Sequence, residues 1–310
     1  MSGPLRWVAL FSGQGGQRAE PVAQMSATLP DELRDAWQRA LADAGVAVDP
    51  LDDATLARNR VAQPTLVALE LAAFARIAAS APPVLVAGYS VGEVAACAAA
   101  GGMTSVDAID IAATRARLMD EAVSVPCALA AVLGLGERDV AALCVRTGVA
   151  IAIRNGTRHF VVGGPSTSLA AFIEQASAAG ATRACALAVH TPAHTPWLAS
   201  AVPRFADALR PRVRARLRVP SLAAIDASRV RTGDEAVAAL SRQLATALDW
   251  AACMDVVAEA QPDAVVEIGP GNALARMFAD AVPDIPVRAL AEFKDPAAAT
   301  AWMERQRRAV

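Results

Sequence analysis

Residues 84–92 read VLVAGYSVG, and this stretch decides the fold of the chain. Its first four residues predict a short buried strand, and a turn bounded by Gly88 and Gly92 then leads into an alanine-rich helix that extends to about Ala100. A serine in this position, Ser90, is typical of a nucleophile elbow, in which a strained turn exposes the hydroxyl group at the end of a sheet. We expect the flanking glycines because a β-carbon there would collide with neighbouring backbone. The alternative interpretation is an ordinary strand–turn–helix with small residues at the turn.

The segments around this turn alternate between strand and helix patterns. Residues 6–12 (RWVALFS) predict a strand that ends in the glycine-rich run GQGGQ, and helical patterns follow over about 21–44 and 63–79. This alternation predicts an α/β fold with a parallel sheet covered by helices. We assign residues 1–127 and 198–310 to this hydrolase-like main domain.

Residues 128–197 follow a different order of elements. The predicted strands are 128–133, 149–154, 159–163 and 182–189, and the predicted helices are 137–146 and 168–179. The order β-α-β-β-α-β is that of a ferredoxin-like unit. Because strand patterns resume at 219–225 and 264–268, we interpret 128–197 as a small subdomain inserted into the main domain.

Composition excludes several classes of function. The chain has 310 residues and a net charge of −2, so we expect neither a nucleic-acid partner nor a charged membrane-binding surface. Its longest uncharged stretches are interrupted by proline, histidine, threonine or paired glycines, so we predict no membrane span. Five cysteines without a CxxC motif predict free thiols in a reducing cytoplasm and no metal site. We expect a cytoplasmic protein that acts as a monomer.

A serine nucleophile requires a base, and the chain offers three histidines. His159 begins a predicted strand next to an arginine, which indicates a surface position. His190 and His194 flank the sequence TPA at the end of the predicted insert, where a loop could place one of them over Ser90. Either of them could equally be a structural histidine, so the residues alone leave the base open.

Six segments, in order, resemble the motifs of malonyl-CoA:acyl-carrier-protein transacylases and of the acyltransferase domains of fatty-acid and polyketide synthases. They are FSGQGGQ at 11–17, similar to GQGSQ; GYSVGE at 88–93, similar to GHSLGE; RARLMDEA at 115–122, similar to RGxxMQEA; Asn155 with VVGG at 161–164, similar to NxPxQxVISG; HTPWL at 194–198, similar to HSxLM; and EIGPGN at 267–272, similar to EVGPGxxL. The matches span about residues 7–290, and six collinear motifs are more specific than any one of them.

The resemblance implies roles for particular residues. Ser90 would be the acylated nucleophile, and His194 would be the general base and acid, oriented by a backbone carbonyl. Backbone N–H groups of Gln14 and Val91 would hold the oxyanion, and Arg115 would bind the free carboxylate of a malonyl group in a bidentate pair. Phosphate binding by the glycine-rich turn is the weaker alternative because no Lys-Ser/Thr follows it.

Three further residues, Gln63, Asn155 and Ala193, are expected to contact the substrate. The sequence also departs from the family pattern, since Tyr89 replaces the usual histidine before the nucleophile. In synthase acyltransferases, a residue pair before the catalytic histidine distinguishes malonyl from methylmalonyl groups. The stretch TPA at 191–193 matches neither common form of this pair, and Ala193 leaves room near the acyl α-carbon. The choice between these two acyl groups stays open.

The resemblance implies a ping-pong transfer of a malonyl or related dicarboxylic group from coenzyme A to the phosphopantetheine thiol of an acyl carrier protein. The coenzyme A thioester is a substrate, and no cofactor is expected. Three alternatives remain: a proofreading acyl-thioester hydrolase on the same fold, the acyltransferase subunit of malonate decarboxylase, and a non-catalytic docking subunit. A hydrolase would leave Arg115 without a role, and a docking subunit would be expected to lack one of Ser90, His194 and Arg115.

Overall fold

The computed structural model describes residues 4–47, 51–79 and 81–307. The strands of the described chain are β1 (Trp7–Phe11), β2 (Leu85–Gly88), β3 (Cys127–Leu133), β4 (Ala150–Gly156), β5 (His159–Pro165), β6 (Arg183–Ala186), β7 (Arg216–Leu222), β8 (Arg229–Thr232), β9 (Leu248–Asp249), β10 (Ala264–Ile268) and β11 (Val287–Ala289). The helices are α1 (Ala19–Ser26), α2 (Asp31–Asp43), α3 (Asp53–Leu56), α4 (Asn59–Ala78), α5 (Gly92–Ala99), α6 (Ser105–Glu121), α7 (Glu137–Thr147), α8 (Ser166–Ala178), α9 (Ala201–Leu209), α10 (Gly233–Arg242), α11 (Trp250–Glu259), α12 (Ala273–Ala281) and α13 (Pro296–Gln306).

The main sheet has the strand order β11-β10-β1-β2-β7-β8. Every residue of β1, β2 and β10 is buried, as expected for parallel strands covered on both faces. The predicted α/β fold with a parallel sheet is therefore confirmed. The prediction is corrected at one edge, because β8 runs antiparallel to β7.

The second sheet has the order β6-β3-β5-β4-β9, and its first four strands pair antiparallel. With α7 and α8, it contains the predicted β-α-β-β-α-β succession, and its own apolar cluster includes Phe160 and Phe172. A fifth strand, β9, comes from outside residues 128–197 and pairs parallel to β4. The predicted insert thus shares its sheet with the rest of the chain, and its boundaries stay a prediction.

Two predicted elements differ from those observed. The helix predicted over 21–44 is divided into α1 and α2, because Pro30 lacks an N–H group and disfavours helical backbone at the residue before it; Pro30 then precedes the first turn of α2. The strand predicted over 182–189 is limited to β6. Beyond β6, Leu187 still donates a backbone hydrogen bond to Leu129 of β3, so the chain stays attached to the sheet there.

Helix α4 is a long apolar helix that the search for uncharged stretches did not single out. Its length and composition would suffice to cross a membrane, but 83% of its most apolar window is buried inside the protein. It packs against α6 and α2 as the central helix of the core. Since α4 carries Gln63 and α6 carries Arg115, this packing brings both side chains to the carboxyl end of β2, where open α/β sheets place their sites.

Candidate active site

The turn between β2 and α5 holds Ser90 in a strained conformation. Its φ is 56°, in the left-handed region that side chains other than glycine seldom adopt. A β-carbon at Gly88 would lie 2.2 Å from the backbone of Gly92 and Glu93, and one at Gly92 would lie 2.4 Å from the carbonyl oxygen of Phe11. The expectation that both glycines are required by close backbone approach is confirmed, and the turn has the geometry of a nucleophile elbow.

His194 lies directly over this serine. Its Nε2 is 2.7 Å from Ser90 Oγ, although 104 positions separate the two residues along the chain. Its Nδ1 is 2.5 Å from the backbone carbonyl oxygen of Gln243. Because a carbonyl oxygen only accepts, Nδ1 carries the hydrogen, and the neutral imidazole then accepts from the Ser90 hydroxyl group through Nε2. The structure therefore selects His194 from the two candidates left open by the sequence, while His190 is exposed.

The surroundings of His194 keep its imidazole neutral. The side chain is 1% exposed, and burial together with the positive charge of Arg115 lowers its pKa to about 3. Its backbone also has a positive φ, 63°, and its N–H donates to the carbonyl oxygen of Leu244. A neutral imidazole in this place can accept a proton from the serine without first losing one.

Arg115 is fully buried beside the serine. Its Nη2 lies 3.4 Å from Ser90 Oγ, while Nη1 donates to Gln63 Oε1 at 2.7 Å and Nη2 donates to Gln243 Oε1 at 2.8 Å. Its Nε has no hydrogen-bond partner among the described residues. Burial lowers the pKa of Arg115 to about 10, so the guanidinium is charged at neutral pH. A buried cation bonded directly to neutral oxygen atoms favours the binding of an anion.

Gln243 and Glu93 connect these groups, and sequence reasoning missed both of them. Gln243 Nε2 donates to the backbone oxygen of Ser90 at 3.2 Å and to Glu93 Oε2 at 2.9 Å. The same Glu93 oxygen accepts from the backbone N–H of Ala224 at 3.2 Å. One glutamine thus contacts the serine, the histidine and the arginine of the site, and Glu93 fixes its amide.

Glu93 is itself a buried acid. Burial raises its pKa to about 8, against the opposing effects of its hydrogen bonds and of the Arg115 charge. The only sequence signal for it was its place in the segment GYSVGE. For Gln243 the chain gave no signal, because the group that orients His194 is a main-chain carbonyl that any residue could supply.

The predicted oxyanion donors lie next to the serine. Val91 is buried and begins the turn into α5, whose free N–H groups carry the partial positive charge of a helix N-terminus. Gln14 lines the same cavity as Ser90, and its side chain donates to the carbonyl oxygen of Ala57 at 3.3 Å. Neither backbone N–H has an acceptor among residues 4–47, 51–79 and 81–307. Both are free to donate to a developing oxyanion.

A cavity of about 100 Å³ opens on Ser90 and His194. Gln63 and Ala193, which the sequence predicts as substrate-binding residues, both line it. The apolar part of the lining comes from the second sheet and from the residues just after β6, through Leu129, Ile153, Val161, Leu187 and Val189. The cavity is therefore polar around the serine and apolar along this part of its lining.

Asn155 differs from the other predicted substrate contacts. It contacts the phenol of Tyr89, whose hydroxyl group donates to Asn155 Oδ1 at 3.1 Å, and it is Tyr89 that forms the cavity wall. Asn155 Nδ2 also lies 3.4 Å from His159 Nε2. His159 is half-buried, which corrects its predicted surface position, and burial lowers its pKa.

Within the described part of the chain, no group of histidine, cysteine, aspartate or glutamate side chains is arranged to hold a metal ion. The five cysteines are free thiols, four buried and Cys185 half-buried. The site thus offers a serine, a neutral imidazole, a buried guanidinium beside the serine and two backbone amide donors.

Comparisons with known proteins agree with this geometry. The family model described as acyl transferase domain matches residues 8–307. The malonyl CoA-acyl carrier protein transacylase of Mycobacterium tuberculosis is 31% identical over 302 residues, which cover 94% of this chain and 97% of that protein. The enzyme of the same name from Escherichia coli is 27% identical over 306 residues, covering 95% and 98%. The crystal structure of the malonyl-CoA:acyl carrier protein transacylase of Xanthomonas oryzae pv. oryzae superimposes with a TM-score of 0.86 at 26% identity, covering 98% of this chain and 99% of that one.

Proposed function

The chain belongs to the acyl transferase domain family, and on that premise we propose that it transfers a malonyl group from malonyl-CoA to the phosphopantetheine thiol of an acyl carrier protein. The names of its relatives in Mycobacterium tuberculosis and Escherichia coli support this donor and this acceptor. The single observation that carries the proposal is the buried guanidinium of Arg115, 3.4 Å from the hydroxyl group that His194 contacts.

The first half-reaction loads the serine. His194 Nε2 accepts the hydroxyl proton as Ser90 Oγ attacks the thioester carbonyl, and the N–H groups of Gln14 and Val91 donate to the oxyanion. The C–S bond then breaks, and His194 returns the proton to the leaving thiolate of coenzyme A. The product is a malonyl ester of Ser90, and no cofactor takes part.

The second half-reaction reverses these roles. The phosphopantetheine thiol gives its proton to His194 and attacks the ester carbonyl, and Ser90 Oγ leaves as the alcohol after taking that proton back. The Gln243 carbonyl oxygen keeps the imidazole in the correct tautomer throughout. A backbone carbonyl can orient a catalytic histidine, so the mechanism does not need an acidic third member.

The guanidinium of Arg115 would hold the free carboxylate of the malonyl group. Besides Ser90 Oγ, its partners are the side-chain oxygens of Gln63 and Gln243, which a carboxylate can replace as acceptors. A monocarboxylic acyl group would leave this buried charge without an anion, so the site favours a dicarboxylic substrate.

We also infer that the protein works in the cytoplasm. Free thiols at all five cysteines suit a reducing compartment.

The test is intact-mass analysis after mixing the protein with malonyl-CoA, followed by addition of a phosphopantetheinylated acyl carrier protein. We expect a malonyl adduct on the wild-type protein, none on Ser90→Ala, and movement of the adduct to the carrier protein. Rapid release of free malonate with no transfer would identify a hydrolase. Absence of any adduct on the wild-type protein would contradict the proposed intermediate.

A further inference from the structure

Tyr89 joins four separate parts of the chain at the wall of the cavity. Its backbone belongs to the turn that carries Ser90, and its ring packs so closely on Gly13 that a β-carbon there would lie 2.7 Å from the ring. The ring also meets Trp250 edge to face, with centroids 5.3 Å apart. Its hydroxyl group donates to Asn155 of β4.

These contacts run from the main sheet to the second sheet. Gly13 begins the glycine-rich turn that carries Gln14, whereas Asn155 belongs to the second sheet. Trp250 directly follows β9, the short strand that pairs with β4. Among these contacts, the hydrogen bond from the phenol is the polar link between the two sheets. Burial raises the pKa of Tyr89 above its ordinary value, so the phenol keeps its hydrogen.

We propose that Tyr89 is a positioning residue whose hydroxyl group fastens the second sheet to the nucleophile turn, so that an acyl group on Ser90 is discharged by a thiol instead of by water. The inference rests on the proposed function, because it concerns the malonyl ester of Ser90.

The hydrogen bond between Tyr89 and Asn155 would control how the malonyl ester of Ser90 is divided between hydrolysis by water and transfer to the thiol. Both reagents attack the same carbonyl carbon and give up a proton to His194; water yields free malonate, and the thiol yields a thioester. Water can enter through any opening of the cavity, whereas a carrier-protein thiol must enter along a defined path. Opening the apolar wall therefore raises hydrolysis more than transfer.

The experiment compares four purified proteins: wild type, Tyr89→Phe, Asn155→Ala and the double variant. Phenylalanine keeps the ring contacts with Gly13 and Trp250, so folding is preserved while the hydrogen bond is lost. Each protein is loaded with malonyl-CoA and freed of excess donor, and loss of the ester is followed by intact mass with and without carrier protein. Arg154→Ala is the matched control, because Arg154 lies beside Asn155 on β4 but pairs with the exposed Glu137.

We expect Tyr89→Phe and Asn155→Ala each to raise the ratio of hydrolysis to transfer about threefold to tenfold, the range that loss of one hydrogen bond gives. The double variant should match the single ones, because all of them remove the same bond, and Arg154→Ala should match wild type. An unchanged ratio in Tyr89→Phe, or effects that add in the double variant, would overturn the inference while leaving the proposed function intact. Failure of the wild-type protein to form the ester would instead overturn the proposed function, and the inference with it.

A second readout reports on the bond itself. The sequence contains one tyrosine, so protein labelled with ¹³C at the tyrosine Cζ gives a single ring-carbon signal. We expect Asn155→Ala to shift this signal and Arg154→Ala to leave it in place. An unshifted signal in Asn155→Ala would show that the phenol does not bond to Asn155, which would overturn the inference.

Discussion

The two sheets contribute to the cavity in opposite ways. The main sheet and its helices, together with the loop that carries His194, supply polar groups that touch each other, as when Arg115 Nη2 donates to Gln243 Oε1 and the Gln243 carbonyl accepts from His194. The second sheet supplies an apolar wall, with Leu129 and Val161 among its members, and Leu187 and Val189 just after β6 extend that wall. Its polar link to the nucleophile turn, from Asn155, goes through Tyr89.

The two sides of the cavity also differ in how tightly their backbone geometry is constrained. The polar side carries left-handed backbone at Ser90 and His194, and backbone strain of this kind persists only where the surrounding contacts fix it. The apolar wall consists of Leu129, Ile153 and Val161 from strands, in which side chains alternate between the two faces, and of Leu187 and Val189 just after β6. We therefore expect substitutions on the polar side to change rates, and changes at the second sheet to alter the fate of the acyl group.

The largest expected effect is that of His194→Ala. It removes the group that takes the serine proton, so malonyl loading should fall by about 10⁶-fold, the loss that follows removal of the histidine from a serine protease triad. Rapid-quench measurement of acyl-enzyme formation gives the rate. His190→Ala, an exposed histidine four positions away, is the matched control and should load at the wild-type rate. Equal losses in the two variants would show that His194 is not the base that takes the serine proton.

Arg115→Ala is expected to have the next largest effect, on selectivity. Malonyl loading should fall about 100-fold or more relative to acetyl loading, because a bidentate charged pair contributes about 3 kcal/mol. The measurement is kcat/KM for malonyl-CoA and acetyl-CoA side by side. Arg117→Ala, on the same helix but in an exposed ion pair with Glu121, should leave the ratio unchanged. The same loss for both acyl groups would show that Arg115 does not recognise the carboxylate.

A smaller effect is expected at Glu93, whose side chain contacts the site through Gln243. Glu93→Ala leaves the Gln243 amide and the Ala224 N–H without their acceptor, so malonyl loading should fall about tenfold. Glu93→Gln resembles the protonated acid and should recover most of the rate. The exposed Glu121 provides the control variant Glu121→Ala. If Glu93→Gln and Glu93→Ala lose activity equally, the loading rate does not depend on an acceptor oxygen at position 93.

The smallest change is expected from pH. Since the pKa of His194 is lowered to about 3, its imidazole stays neutral as the pH falls through the ordinary histidine range. The value of kcat/KM should therefore change less than about twofold between roughly pH 7.5 and 5.5, whereas a histidine of ordinary pKa would lose about nine-tenths of its neutral form. Stopped-flow loading across this range is the measurement. An acid limb near the ordinary histidine pKa would mean that the site is more open to water than the structure indicates.

Sequence patterns predicted the regular parts of this fold and the residues with local signatures. The apolar run before Ser90 and the helix after it identified the nucleophile turn, and the six motifs led to Arg115, His194 and Gln14. Patterns failed where a feature is short or defined only in space. The strand β9 has two residues, too few to show any periodicity, and Pro30 divides a helical pattern that looked continuous.

The missed parts of the site are missed for a physical reason. Gln243 lies 150 positions from Glu93 and 153 from Ser90, and it orients His194 through a main-chain carbonyl. Tyr89 could be seen as a departure from the family pattern, but its partner Asn155 is 66 positions away. Contacts of this length depend on how distant segments and the two sheets are placed against each other, which no local pattern encodes.

The most direct test of this account is a crystal structure of the protein trapped as its malonyl ester, with the distance from the malonyl carboxylate to the nearest nitrogen of Arg115 as the measurement. We predict an ester on Ser90 Oγ with its carboxylate oxygens about 2.7–2.9 Å from the guanidinium nitrogens. An ester on another residue, or a carboxylate directed away from Arg115 toward solvent, would contradict the assignment of the chemistry to Ser90, His194 and Arg115.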